Sequence, residues 1–178
     1  MSPARRLDRS LLQTYLGDHL AGATGGSARF VRMADAYART PLGPELARIA
    51  REVVDEREWL RETAYRLDAR PSALKRLGVA VAERAGRLKP NGRLTTPSPL
   101  SAVIELDLMR AAVVGKRGLW ETLDAWADEL GLAREQLARL LAQADEQAQT
   151  LTRLGAVARE QAFTREAEPG GGRDGGDR

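Results

Sequence analysis

The sequence predicts an all-α protein, a bundle of four long amphipathic helices with a long crossover holding a short helix between the second and third. Three observations predict it. Apolar residues recur in steps of three and four through four long segments, and no segment alternates with a period of two. Aromatic residues make up only 4% of the 178 residues, so the core must be aliphatic and alanine-rich, which favours close helix packing. The links are short after the first and third segments but about thirty residues long between the second and third, which lets helix three run parallel to helix two.

The first segment runs from about Leu7 to Ala38, with an apolar line at Leu7, Leu11, Tyr15, His19, Ala23, Gly26, Phe30, Met33 and Tyr37. Gly22, Gly25 and Gly26 each weaken a helix by ~1 kcal/mol relative to alanine, so a kink or a closely packed large partner is expected there. Thr40-Pro41-Leu42-Gly43-Pro44 makes a tight turn, and Pro44 suits an early helical position where its missing N–H is not needed. The second segment continues to about Asp68 on Leu46, Ile49, Val53, Glu56, Leu60, Ala64 and Leu67. The crossover carries a short amphipathic stretch, about Ser72 to Leu88, lined by Leu74, Leu77, Val81, Ala85 and Leu88. The third segment starts near Pro99, capped by Ser98, and is expected to reach Leu130, with Gly131 as its stop. The fourth covers about Ala133 to Phe163. One domain over residues 7–164 is expected, with a flexible start at 1–6 and a disordered glycine-rich tail at 165–178.

Composition excludes some chemistry. With no cysteine there is no disulfide, thiolate zinc site or thiol nucleophile. No stretch approaches the ~20 apolar residues of a membrane span and none resembles a signal peptide, so a cytoplasmic location is expected. The net charge of +3 is too small to argue for nucleic acid, and no specific nucleic-acid partner is expected. There is no P-loop, no Gly-x-Gly-x-x-Gly and no nucleophile elbow.

Several stretches carry a resemblance: Tyr15-Leu16-Gly17-Asp18-His19-Leu20-Ala21-Gly22-Ala23, Gly86-Arg87-Leu88-Lys89-Pro90-Asn91-Gly92-Arg93-Leu94, and Ser98-Pro99-Leu100-Ser101 with Glu105 and Gly115-Lys116. On these the chain resembles the ferritin-like superfamily, and within it a group of actinobacterial helical proteins of similar length. The resemblance implies an all-α, ferritin-like four-helix bundle over about Leu7 to Phe163 and implies no activity. The superfamily's ligand pattern is a glutamate on each of two helices and Glu-x-x-His on each of the other two. This chain departs from it. It has a single histidine; Glu52 and Glu56 are followed at the third place by Asp55 and Trp59, and Asp145 and Glu146 by Ala148 and Gln149.

Levels along the helices place the remaining charges. At about 1.5 Å per residue, paired numbers on helices one and two sum to about 81, and those on helices three and four to about 262. Lys116 stands on the apolar line Leu106, Met109, Val113, Lys116, Trp120, Leu123. It falls level with Glu56 and with Asp145 or Glu146. The reading is a buried polar seam of Glu56, Lys116, Asp145, Glu146 and His19, in which the Lys116 ammonium occupies the space of a lost metal, because an unpaired buried charge would be too costly. The alternative is that Lys116 snorkels outward over apolar surface. His19 is read as a partly buried imidazole beside Tyr15 and Tyr65, the alternative being metal ligation with Asp18 or Glu62. Asp107 and Glu105 are read as a surface ion pair with Arg110.

Three functions follow, from different classes. The first is a non-catalytic bundle with a degenerate metal site and no cofactor, acting through self-association (a homo-oligomer) or an unknown protein partner, a surface that Trp59, Trp120 and Trp126 would mark if any of them is exposed. The second is an iron- or manganese-binding oxidoreductase-type protein whose metal ligands are Glu52, Glu56, Glu105 and Asp145. The third is an adaptor for anionic surfaces. Residues 66–93 carry eight bases against two acids, and Arg70, Lys75, Arg76, Arg84, Arg87, Lys89 and Arg93 are the anion-binding candidates. A solvated face is the bland reading of that run, and the segment offers no aromatic residue for base stacking.

Overall fold

A computed structural model of the chain describes residues 6–69 and 99–164. These form α1 (Arg9–Ala36), α2 (Gly43–Arg66), α3 (Pro99–Ala125), the short α4 (Ala127–Leu130) and α5 (Arg134–Phe163), with no strand among the described residues. The basic crossover, its short amphipathic stretch, the Ser98 cap and the glycine-rich tail lie outside them. No helix among the described residues is long and apolar enough to cross a membrane.

Local chemistry sets the helix ends. The Asp8 carboxylate caps α1 by accepting from the Leu11 N–H at 3.0 Å. Gly43 opens α2 where only glycine fits: a Cβ there would lie 2.7 Å from the carbonyl oxygens of Tyr37 and Ala38. Pro44 follows in the first turn, as its sequence position predicts. Asp68 closes α2 with φ 56°, and the Ala69 N–H returns to the Ala64 carbonyl at 2.8 Å. Gly131 ends α4 at φ 63° in the same manner, with Leu132 N–H on Ala127 O at 2.9 Å. The third segment is not one helix to Leu130 as expected, because Trp126 leaves helical geometry between α3 and α4. Arg134 ties the connection down through Asp128 and the Asp124 carbonyl.

Cross-helix hydrogen bonds give the directions. Gln13 to Leu67 and Arg57 to Ser27 make α1 and α2 antiparallel. Arg117 to Asp145 and Arg159 to Asp107 do the same for α3 and α5. Tyr37 to Glu105 runs α1 against α3, so α2 and α3 are parallel. The observed pairs sit close to the levels read from sequence. α1 packs mainly along α2 and α3 mainly along α5, and the two pairs meet through fewer contacts.

The core is aliphatic, as the composition requires. On α2 the whole predicted line turns inward, with Leu46, Ile49, Val53, Glu56, Leu60 and Ala64 buried. On α1 the N-terminal half differs from expectation: Leu12 and Leu16 are buried, while Leu11 is 68% exposed. Both Leu7-Leu11-Tyr15 and Leu12-Leu16 satisfy a four-residue step, and packing against α2 selects the second. α1 shows no break at its glycines. Neither Gly22 nor Gly26 is closely packed either, since a Cβ at each would meet nothing within 4 Å. At Gly22 and Gly26 the expected tight contact is replaced, among the described residues, by open space.

Candidate functional site

Lys116 and Glu56 meet in the interior where α2, α3 and α5 converge. Glu56 is 3% exposed and the Lys116 side chain 17%. The Lys116 ammonium bonds Glu56 Oε2 and also Gln147 Oε1 at 2.6 Å. The Gln147 amide then donates to Glu56 Oε1 at 3.2 Å and to Glu52 Oε2 at 2.9 Å. Glu52 is held in turn by Arg48 at 2.7 Å, which also reaches Glu45 and, from α5, Glu146 at 3.2 Å. The result is a chain of hydrogen bonds running from the buried lysine to the surface, with both amide atoms of Gln147 used.

Burial dominates the electrostatics of the pair. It pushes the Glu56 carboxyl above its ordinary range, against the opposing pull of Lys116 and Gln147. It pushes the Lys116 ammonium below its ordinary range, against the opposing pull of Glu56. Desolvation therefore exceeds the attraction, the usual balance for an interior ion pair.

Other seam candidates fall elsewhere. Asp145 bonds Arg117 at 2.5 Å with half its side chain exposed, and Glu146 is 63% exposed. Both sit at the right level, but adjacent helical positions point about 100° apart, and it is Gln147, fully buried, that turns inward. Gln147 was missed because an uncharged amide between Ala144 and Leu151 breaks no pattern. His19 lies apart from the pair, its ring edge-on to Tyr15 with centroids 4.4 Å apart, and burial holds its pKa below the usual imidazole value while Asp18 opposes. Tyr65, expected beside it, is exposed.

Of the four carboxylates proposed as metal ligands, Glu52 and Glu56 meet at the Gln147 amide, whereas Asp145 and Glu105 lie elsewhere. Glu105 bonds Arg29 at 2.6 Å and the Tyr37 hydroxyl at 3.3 Å, near the other end of α1. Arg29 and Tyr37 engage Glu105 in place of the expected Arg110, just as Arg159 of α5 takes Asp107. Tyr37 is driven up to about 12 by burial and by the neighbouring Glu105 charge. No cluster of three or more His, Asp or Glu side chains suited to a metal occurs among the described residues. Among the described residues an ammonium, and not a further ligand group, meets Glu56. The anion-binding candidates Arg70 to Arg93 lie outside the described residues.

Beside the pair opens a cleft of about 520 Å³ between α1, α2 and α3. Its walls are apolar, with Phe30, Val53, Leu60, Val113, Leu119 and Trp120. Its lip is made where side chains are small, at Gly22, Ala23 and Gly26 of α1 facing Ala112 and Gly115 of α3. The Lys116–Glu56 pair forms part of the wall, with Arg57 and Ser27 nearby and Asp18 and His19 towards one end. Trp120 is 1% exposed and packs edge-to-face on the partly buried Trp59, centroids 5.6 Å apart, so neither marks an exposed surface. Trp126 is also partly buried. Trp120 Nε1 is a buried side-chain donor with no hydrogen-bond partner among the described residues, an omission that costs about 1–3 kcal/mol.

Comparison of the chain with protein-family models, with curated proteins and with solved structures finds no match.

Proposed function

We propose that the chain is a non-catalytic, ferritin-like four-helix bundle that works by binding, and that Lys116 stands where such bundles hold a metal. The observation that carries this reading is the Lys116–Glu56–Gln147–Glu52 network. A lysine bonded to the most buried carboxylate neutralises it, fills the space beside it and removes the open coordination positions that metal chemistry needs. A buried charge pair of this sort contributes helix register more than net stability. The parallel run of α2 and α3 and the short α1–α2 and α4–α5 links support the single-crossover topology.

The test is the metal content of the purified protein, by elemental analysis, before and after incubation with ferrous iron or manganese and desalting. Substoichiometric metal in both samples is expected. Two equivalents retained would reverse the reading in favour of a carboxylate-bridged oxidoreductase-type centre.

Self-association is a second reading, favoured by one observation. Leu100, Ile104 and Leu108 form an i, i+4, i+8 row on α3, each between 49% and 56% exposed. Light scattering across a hundredfold concentration range tests it: a mass above the monomer that Ile104→Glu returns to the monomer supports the row, and a constant monomer removes it.

A further inference from the structure

We infer that the cleft between α1, α2 and α3 is a binding site for a small, neutral, largely apolar molecule carrying one hydrogen-bond acceptor, which Lys116 receives. The inference deepens the binding reading above and rests on Lys116 being held as an ammonium rather than displaced by metal. Four observations carry it.

The first is size. About 520 Å³ lies within the range of about 300–1,000 Å³ typical of small-molecule sites. The second is the wall, apolar and partly aromatic, with a few polar groups converging at one level. Such a composition recognises a hydrophobic body and fixes its orientation through one polar contact. The third is the lip. Glycines occupy α1 where a helix would be more stable with alanine, and a Cβ at Gly22, Gly26 or Gly115 would meet nothing. Stability is given up at these positions and no close helix contact is gained. What is gained is access.

The fourth is the donor. An ammonium has three N–H bonds. Lys116 uses Glu56 and Gln147 as acceptors, and its side chain lines the cleft with a third N–H that meets no acceptor among the described residues. Charge then decides the kind of ligand. Among the described residues of the lining, Asp18 and Glu56 balance Arg57 and Lys116, and Glu52 lies directly behind through Gln147. An anionic head at Lys116 would lie beside Glu56 with Glu52 behind it, and a cation would meet Lys116 itself. A carbonyl or hydroxyl oxygen supplies an acceptor without a net charge.

The test uses Prodan, a neutral naphthalene ketone, titrated into the intact, metal-free protein and followed by its blue shift and by quenching of tryptophan emission. Saturable binding of one equivalent is expected. Gly22→Leu and Gly26→Leu should weaken it at least tenfold while leaving the melting temperature equal to or above that of the wild type, which separates a filled cleft from a damaged fold. The analogue in which a methylene replaces the Prodan carbonyl should bind more weakly than the ketone, and the anionic anilinonaphthalene sulfonate more weakly still. Absent saturable binding, or equal binding by wild type and both leucine variants, would overturn the site. Equal affinity of the ketone and its methylene analogue would overturn the role of Lys116, and tighter binding of the sulfonate would overturn the neutral ligand. Metal retention in the separate elemental analysis would count against the proposed function, whereas these titrations, run on metal-free protein, bear on the cleft.

Discussion

Two sides of Glu56 are built in opposite ways. Towards α5 the interior is full and polar, with every oxygen of Glu56 and both amide atoms of Gln147 engaged. Towards α1 it is open and apolar, walled by leucine, valine and aromatic side chains and bounded by glycine. The difference follows from which side chain each helix supplies at one level: Gln147 from α5 reaches in, whereas Gly22 and Gly26 from α1 reach nowhere. The same bundle level thus yields a structural clasp on one side and a receptive surface on the other, through the size and polarity of two or three residues.

The comparison breaks most readily at the clasp. Lys116→Met leaves Glu56 buried without a counter-charge and should cost about 3–5 kcal/mol in urea unfolding at pH 8. The cost should shrink as pH falls towards 5. Burial raises the Glu56 pKa and Lys116 holds it down, so removing Lys116 raises it further; the variant's folded state then binds this proton more tightly than the wild type's and gains more stability as pH descends towards the ordinary 4.5. Glu56→Leu should cost less, because Lys116 keeps Gln147 and a route to solvent.

A smaller effect belongs to the α1–α2 turn. Gly43→Ala drives a Cβ into two backbone carbonyls 2.7 Å away and should lower stability by about 1–3 kcal/mol, read as a fall in melting temperature. Gly22→Ala and Gly26→Ala should do the reverse, each raising stability by up to ~1 kcal/mol, because the added methyl meets open space on a helix that favours alanine. A loss at either glycine would mean that α1 packs closely there after all.

The smallest effect is a proton linkage at the cleft's end. Burial lowers the His19 pKa from 6.5, so the unfolded state takes up this proton first, and stability falls as pH drops below 6.5 towards the lowered value. His19→Asn should flatten the pH dependence of the melting temperature between pH 7 and 5 relative to wild type. Unchanged slopes would place the imidazole in solvent.

Much of this was legible in the sequence, and the gaps have physical reasons. The α2 line and the levels of the charged layer were readable because a 3.6-residue period and a fixed rise leave little freedom. Lys116 stood out because a charge on an apolar line demands a partner. Gln147 did not, since an amide is tolerated anywhere on a helix. Asp145 and Glu146 were misplaced because level fixes height but not direction around the axis. Leu11 and Leu12 offered two equally periodic lines, and tertiary packing chose between them. The glycines announced that something unusual occurs on α1, but whether glycine admits a partner closely or leaves a gap depends on what the facing helix carries, and here that is Ala112 and Gly115.

The most direct measurement is the double-mutant cycle at Glu56 and Lys116, by equilibrium unfolding at pH 8. The clasp predicts that Lys116→Met alone loses about 3–5 kcal/mol and that Glu56→Leu with Lys116→Met regains most of it, because two apolar side chains replace a pair whose desolvation outweighs its attraction. A Lys116→Met protein as stable as wild type, or single losses that simply add in the double variant, would contradict the clasp and place Lys116 at the surface.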